Sequence, residues 1–249
     1  VIPATGYPTG RSRAGHALFA RFAYPPNELG YCGPQDTRAL LGAGDQMTAV
    51  AREFDGAWPY LEAIADATAI ADPLDVDVVR SYWVGGPSLN AVDAVTLLER
   101  LRSAFAGQVT GLLGDLAAAA PALAHHSFHV LVVYPWVRFL ERDPGTALGI
   151  LQNCRIRWGT VHSVDSEHVV LESRPLTLRD GRLTLAEPVA ERVRWCRGET
   201  SLTTAPEAGD VVAAHWDWVC GPLTDADTAA LTTATQATLA LVNVTRNRS

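Results

Sequence analysis

The chain has 249 residues, 48% of them hydrophobic and 19% charged, which is enough apolar sequence for a large buried core in one big domain or two modest ones. Its 20 basic residues are all arginine and face 27 acids, a formal net charge of -7 that argues against a general nucleic-acid or anionic-membrane binder. The 4 cysteines lack C-x-x-C spacing and the apolar runs are too short to span a bilayer, so free thiols, a cytoplasmic location and no membrane insertion are expected.

Residues 1–13, with Gly6, Pro8 and Gly10, read as an irregular arm, and 14–152 as a helical domain. Near its start, Pro25-Pro26 predicts an extended bend, and Gly30 and Gly33 let the chain turn back around Cys32. Such a loop either places Cys32 over a pocket with Arg21 or Glu28, as a reactive thiol, or is a buried structural loop. Apolar spacing predicts helices over 45–56, 59–71, 75–83, 89–104, 110–120, 126–142 and 145–152, with Asp75 and Ser88 as N-caps. Pro135 should kink or split the helix over 126–142.

The period changes after Cys154. Short apolar segments separated by Asp165-Ser166, Arg179-Asp180-Gly181 and Ala208-Gly209-Asp210 are strand and hairpin signals, Asp180-Gly181 being the sharpest. More strands are expected at 183–185, 189–196 and 211–219, then a helix over 225–243 capped by Thr224 or Asp225. The expected fold class is α+β: a mainly helical N-terminal domain, then a small OB-like β-barrel with a C-terminal helix over 153–249.

Two groups of side chains carry chemistry. Cys154, at the mouth of the first strand, and His215, in the last long strand, combine a soft thiolate ligand with an imidazole that accepts its proton or shares its metal. The alternative is a buried thiol and a hydrogen-bonded core histidine. Asp217 shares the face of His215 by strand parity and is placed to orient the imidazole. Cys220 falls on the opposite face, and Trp216 and Trp218 read as packing; Cys196 has no evident chemical companion.

The second group is His125-His126-Ser127-Phe128-His129. On a helix His125 and His129 share a face and His126 lies beside them, a ligand set for zinc (Zn) or iron (Fe) that needs a further ligand from elsewhere. Ordinary polar histidines and a metal-free proton-transfer site are the alternatives. Trp58-Pro59-Tyr60, Tyr82-Trp83 and Tyr134-Pro135-Trp136 either line one cavity or pack between helices. No Walker A motif, dinucleotide fingerprint or G-x-S-x-G elbow is present.

The segment Cys154-Arg-Ile-Arg-Trp-Gly159-Thr-Val161 resembles the opening of the HypC/HupF hydrogenase-maturation chaperones, and Gly209-Asp210-Val-Val-Ala-Ala-His215 resembles that family's glycine-aspartate strand ending in histidine. The resemblance covers the C-terminal third of the chain. In that family the cysteine helps carry an iron centre bearing cyanide and carbon monoxide while it is assembled with a scaffold protein and delivered to the large subunit of nickel-iron hydrogenase. The resemblance therefore implies that Cys154 is an iron-carrying thiolate, that His215 is its neighbour, and that Gly159, Gly209 and Asp210 shape the barrel. It implies iron or an iron-cyanide/carbonyl fragment as cargo, and a maturation scaffold or hydrogenase large subunit as partner. Two departures stand out: Cys154 is internal and has no free α-amine, and Trp158 occupies the place of the family's proline.

The whole chain also resembles an actinobacterial family with the signatures Tyr24-Pro25-Pro26-Asn27, Gly30-Tyr31-Cys32-Gly33 and His126-Ser-Phe-His129 ahead of this barrel. That resemblance brings no activity with it and implies only that the two domains travel together. Three functions follow as expectations. The first is a metallochaperone-like factor of hydrogenase maturation working through Cys154 and His215. The second is a metal-dependent enzyme centred on His125, His126 and His129, with Cys32 as a further candidate. The third is a metal-free interaction protein.

Overall fold

The computed structural model describes residues 10–42 and 44–247. Residues 1–9 of the expected arm lie outside the described residues, and Gly10 already opens a helix, α1 (Gly10–Glu28). Its first turn is fixed by Arg11, which donates to both Asp75 oxygens at 2.9 and 2.8 Å. α1 does not bend at Pro25-Pro26: both prolines are buried within its last turns.

Short helices follow, α2 (Arg38–Gly42) and α3 (Met47–Arg52), then α4 (Trp58–Thr68) and α5 (Val76–Trp83). Asp75 caps α5 as expected, its side chain accepting from the Asp77 N–H. Gly15 lets α1 and α5 approach closely, since a Cβ there would lie 1.9 Å from the Leu74 carbonyl oxygen. The helix expected over 89–104 is two pieces, a 3-10 turn Pro87–Ala91 and α6 (Ala94–Ala104), because Asp93 rather than Ser88 supplies the cap.

No helix forms over 110–120. The Gly111 and Leu112 N–H groups donate to the carbonyls of Val133 and Val132, at 2.7 and 2.6 Å, which pins this segment against the stretch after α7. Those acceptors lie in a π-helical segment, His129–Val133, that follows the single turn α7 (His126–Phe128). Pro135 ends it and starts a 3-10 turn, Pro135–Phe139, so the split expected at this proline occurs. α8 (Pro144–Cys154) completes the helical part.

Nine strands follow among the described residues: β1 (Arg157–Val164), β2 (His168–Ser173), β3 (Leu176–Arg179), β4 (Arg182–Leu185), β5 (Val189–Arg194), β6 (Cys196–Arg197), β7 (Thr200–Ser201), β8 (Val211–His215) and β9 (Trp218–Pro222). Five of them close in the order β1-β2-β5-β9-β8, with β8 back against β1. Val161, Val169, Leu171, Val193, Val212, Ala214 and Val219 fill the interior. β3 and β4 form a hairpin whose turn, Asp180-Gly181, has φ of 49° and 73°, the pair of positive values a type I′ turn demands. Gly159 is required by close approach, since a Cβ on it would lie 2.0 Å from the Glu172 carbonyl oxygen on β2.

The chain ends in α9 (Asp225–Arg246), opened by a Thr224/Asp227 capping box. Asp227 also receives Arg80 of α5 at 3.0 Å, and Asn243 brackets the Leu183 backbone of β4 at 2.8 and 2.9 Å. α9 thus joins the helical part to the β3-β4 hairpin. One large core runs through Leu61, Val79, Leu131, Leu151, Ile156, Trp218, Leu231 and Val242, so the expected boundary at 152/153 is not a gap in the packing. The fold is α+β, a helical N-terminal part followed by strands and a terminal helix, as the sequence predicts. Among the described residues, no helix is long and apolar enough to cross a membrane.

Candidate metal centre

Cys154 is the last residue of α8, separated from β1 by Arg155 and Ile156. Its position is set by the almost completely buried Arg157. That guanidinium donates to the Trp216 carbonyl at 2.6 Å and to Glu191 at 3.1 Å, while the Trp216 N–H donates to the Asn153 carbonyl at 2.9 Å. The end of α8 is thereby tied to the β8–β9 turn. Within that turn Trp216 has φ of 50°, a left-handed conformation that is costly for a bulky side chain and persists only where its surroundings impose it.

His215 is fully buried, and its Nδ1 lies 2.6 Å from the carbonyl oxygen of Phe22 on α1. The sequence explains why that carbonyl is free. Its helical partner would be the N–H of residue 26, and Pro26 has none. The freed oxygen accepts from Nδ1, which leaves the lone pair on Nε2, and Nε2 has no hydrogen-bond partner among the described residues. A histidine whose other nitrogen is anchored to a backbone carbonyl is the usual arrangement of a metal ligand.

His126, in the first turn of α7, completes the group. His126, Cys154 and His215 each offer a ligand atom within 4.8 Å of the other two. An ion at about 2.0–2.3 Å from three donors in tetrahedral geometry would space them about 3.5 Å apart, so closure needs side-chain shifts of roughly an ångström. His126 Nε2 stands 2.9 Å from the Cys154 carbonyl, and its Nδ1 stands 3.1 Å from the Tyr82 hydroxyl, itself 3.0 Å from the Gly56 carbonyl. With the proton on Nε2, the imidazole donates to Cys154 and Tyr82 donates to Nδ1; with the proton on Nδ1, Tyr82 accepts it and donates to Gly56, and Nε2, then facing the Cys154 carbonyl acceptor to acceptor, can ligate only once the ring turns away from that oxygen. Trp83 walls the pair, with ring centroids 4.5 Å from His126 and 5.7 Å from His215.

These side chains line a cavity of about 60 Å³ together with Cys32, Gly56, His129 and Tyr134. That volume suits an ion with one or two water-sized ligands and is far below what an organic substrate occupies. Buried polar atoms without a partner line it: His215 Nε2, His129 Nδ1 and Trp83 Nε1. Such atoms are rare in folded proteins, and a cluster of them marks a place where a further ligand satisfies them.

The electrostatics agree. Burial holds the imidazoles neutral, lowering His126 to about 4 and His215 well below its ordinary value. Burial, reinforced by the Cys32 thiol, pushes the Cys154 thiol far up, opposed by the Trp216 indole N–H beside the sulfur. Two neutral imidazoles are ready ligands, whereas the thiol stays protonated at neutral pH. It becomes a thiolate when a cation compensates the charge, so a metal-free nucleophilic role for Cys154 has no support.

Several expected members of the site lie elsewhere. His125 does not join His126: it is the N-cap of α7, with an extended backbone (φ of -134°) that takes it off the helix face, and its Nδ1 accepts from the Ser127 N–H at 3.0 Å. Asp217 does not orient His215. β8 ends at His215, parity is lost in the two-residue turn, and Asp217 is exposed and paired with Arg194 at 3.3 Å. Cys220 packs in the core and Cys196 donates to the Ser166 carbonyl at 3.1 Å. His129 and Cys32 line the cavity but stand outside the three-residue group. Tyr82, Trp83 and Tyr134 do line one cavity, whereas Trp58 and Trp136 do not. The Phe22 carbonyl and the Tyr82 hydroxyl went unread; the one available signal for the former was the proline four residues on.

The molecule is thus an α+β protein in which His126, Cys154 and His215, from the helical part and the strand that follows, form a cluster that could hold a metal ion. Residues 11–249 match DUF6390, a family of unknown function, and the chain belongs to that family. No curated protein and no solved structure matches it significantly.

Proposed function

We propose that this protein is an auxiliary factor of metallocentre assembly that holds one iron-class divalent ion, with small exogenous ligands, on His126, Cys154 and His215. The observation that carries this reading is the His215 imidazole: buried, anchored through Nδ1 to Phe22, and turning an unpartnered Nε2 toward Cys154 and His126. One thiolate with two imidazoles suits iron, cobalt or zinc, and the ion would supply a coordination position for ligands as small as water, cyanide or carbon monoxide. The chain's own residues supply the rest. Arg157 and the Trp216 turn fix the thiol, Tyr82 adjusts the His126 tautomer, and Trp83 keeps bulk water from the imidazoles.

The resemblance of the Cys154 and His215 segments to the hydrogenase-maturation chaperones directs this carrier to nickel-iron hydrogenase, with a maturation scaffold or the large subunit as partner. Cytoplasm is the compartment proposed, since a reducing environment would maintain the four thiols, all free. The test is anaerobic purification with the maturation partners, followed by elemental analysis for iron and infrared spectroscopy for cyanide and carbonyl stretches. About one iron per chain, lost in Cys154→Ala, is expected; equal iron in both proteins would overturn the assignment of this thiol.

A second reading is favoured by the same free coordination position: a metal-dependent enzyme, zinc-bearing for example, acting on a molecule of a few heavy atoms. It differs from the enzyme site expected in the sequence because His126 alone of the three clustered histidines would be a ligand. Turnover of small substrates by the zinc-loaded chain, without any partner, would favour it over the carrier.

A further inference from the structure

The inner cavity shares Tyr31, Cys32, Gly56, His129 and Tyr134 with a second, more open groove of about 340 Å³ on its outer side. Cys32 and His129 therefore stand at the mouth between groove and centre, each facing both spaces. His129 brings an imidazole whose Nδ1 is buried and unpartnered. Its ring has room there only because residue 56 is glycine, as a Cβ on Gly56 would lie 2.6 Å from Nε2.

Cys32 is held at the same mouth by a preset loop. The Asn27 side-chain amide donates to the Cys32 and Pro34 carbonyls, both at 2.7 Å, and Tyr31 stacks on Trp216 with centroids 4.2 Å apart. Gly33, at φ of 81°, lies where a Cβ would meet the Phe54 ring at 2.3 Å. The loop thus carries a thiol that none of its own hydrogen bonds uses.

An aquated divalent ion that enters an apolar passage must surrender water, at a large desolvation cost unless protein ligands replace that water in step. We infer that Cys32 and His129 form a second, transient ligand pair, an entry station through which a thiol-seeking divalent ion passes between the outer groove and the inner centre. The inference rests on the reading of His126, Cys154 and His215 as the resident site. In the transfer Cys32 loses its thiol proton on taking up the ion and regains one when the ion moves inward, as Cys154 loses its own. The balance is one proton released per ion bound, with no change of oxidation state.

An entry station speeds loading and release alike and leaves the equilibrium unchanged, which separates it from a resident ligand. Stopped-flow loading of the metal-free full chain with Co²⁺, followed by its thiolate-to-metal absorption, and stripping by excess chelator test this. Cys32→Ser and His129→Gln should each slow both loading and stripping at least tenfold, with Co²⁺ affinity, stoichiometry and the absorption of the bound state unchanged. Wild-type rates in both variants would overturn the entry station. Loss of affinity together with weaker thiolate absorption in Cys32→Ser would also overturn it, by making Cys32 a resident ligand. Failure of the wild-type chain to bind Co²⁺ would overturn the resident site itself, which is a separate and recognisable result.

Discussion

The two halves of the centre are held by different means. On the side nearest the barrel, Cys154 at the end of α8 and His215 on β8 are held through main-chain carbonyls: Arg157 and the Trp216 turn position the end of α8, and the Phe22 carbonyl sets the tautomer of His215. On the helical side, His126 hangs between a carbonyl and the Tyr82 hydroxyl and must change tautomer to offer Nε2. The difference teaches that His215 alone has its free nitrogen set in advance, whereas Cys154 would have to lose a proton and His126 to change tautomer before either could hold an ion.

The largest expected effect concerns what both halves share, their neutral buried histidines. His125 and His126 have folded-state pKa values of about 3 and about 4, and His215 lies well below its ordinary 6.5. Below pH about 6.5 the unfolded chain binds protons that the folded one refuses, so stability falls with pH until the folded-state pKa values are reached. Each such histidine costs about 1.4 kcal/mol per pH unit in that window, roughly 5.5 kcal/mol per unit for the four, since burial lowers His129 to about 3 as well. Urea denaturation of the metal-free protein should show a steep decline between pH 6.5 and 5; a flat profile there would mean that these imidazoles are not held neutral.

Pro26→Ala strikes the barrel side alone. It returns an N–H to the Phe22 carbonyl, which then competes with His215 Nδ1 for that oxygen, and metal affinity should fall 10- to 100-fold, the usual cost of losing a partner that orients a ligand. Isothermal titration with Co²⁺ measures it, and unchanged affinity would remove the Phe22 anchor from the account. Tyr82→Phe strikes the helical side by deleting the group that accepts the His126 proton. Affinity should drop about tenfold, the low end of the same range, because Nδ1–H loses its acceptor in the bound state. A larger loss here than in Pro26→Ala would reverse the comparison between the two halves.

The smallest effect is reserved for the histidine placed outside the centre. His125→Ala removes an N-cap and should cost about 1 kcal/mol of stability with metal affinity intact. A loss of metal binding would restore His125 to the ligand set.

Sequence reading reached the α+β class, the Asp180-Gly181 turn, the Asp75 and Thr224 caps and the split at Pro135, because each rests on a local rule. It failed over 110–120, where the Gly111 and Leu112 N–H groups are tied to the Val133 and Val132 carbonyls and the chain runs on in turns, a tertiary arrangement that apolar spacing does not reveal. At the site, Cys154, His215 and His126 were all singled out, but assigned to two separate centres. Nothing in the spacing shows that α7 brings His126 against the end of α8, which is a matter of tertiary packing. Asp217 was misread because parity holds only within a strand and β8 ends at His215. The anchor of His215 is a main-chain oxygen, legible only after α1 is known to run through Pro26.

The most direct test of the shared centre is X-ray absorption at the metal edge of the Co²⁺-loaded chain, taken for wild type and for His126→Ala and His215→Ala. The account predicts one sulfur scatterer at about 2.3 Å with two imidazoles in wild type, and one imidazole fewer in each variant. A wild-type spectrum without sulfur, or a first shell unaltered by loss of either histidine, would contradict it.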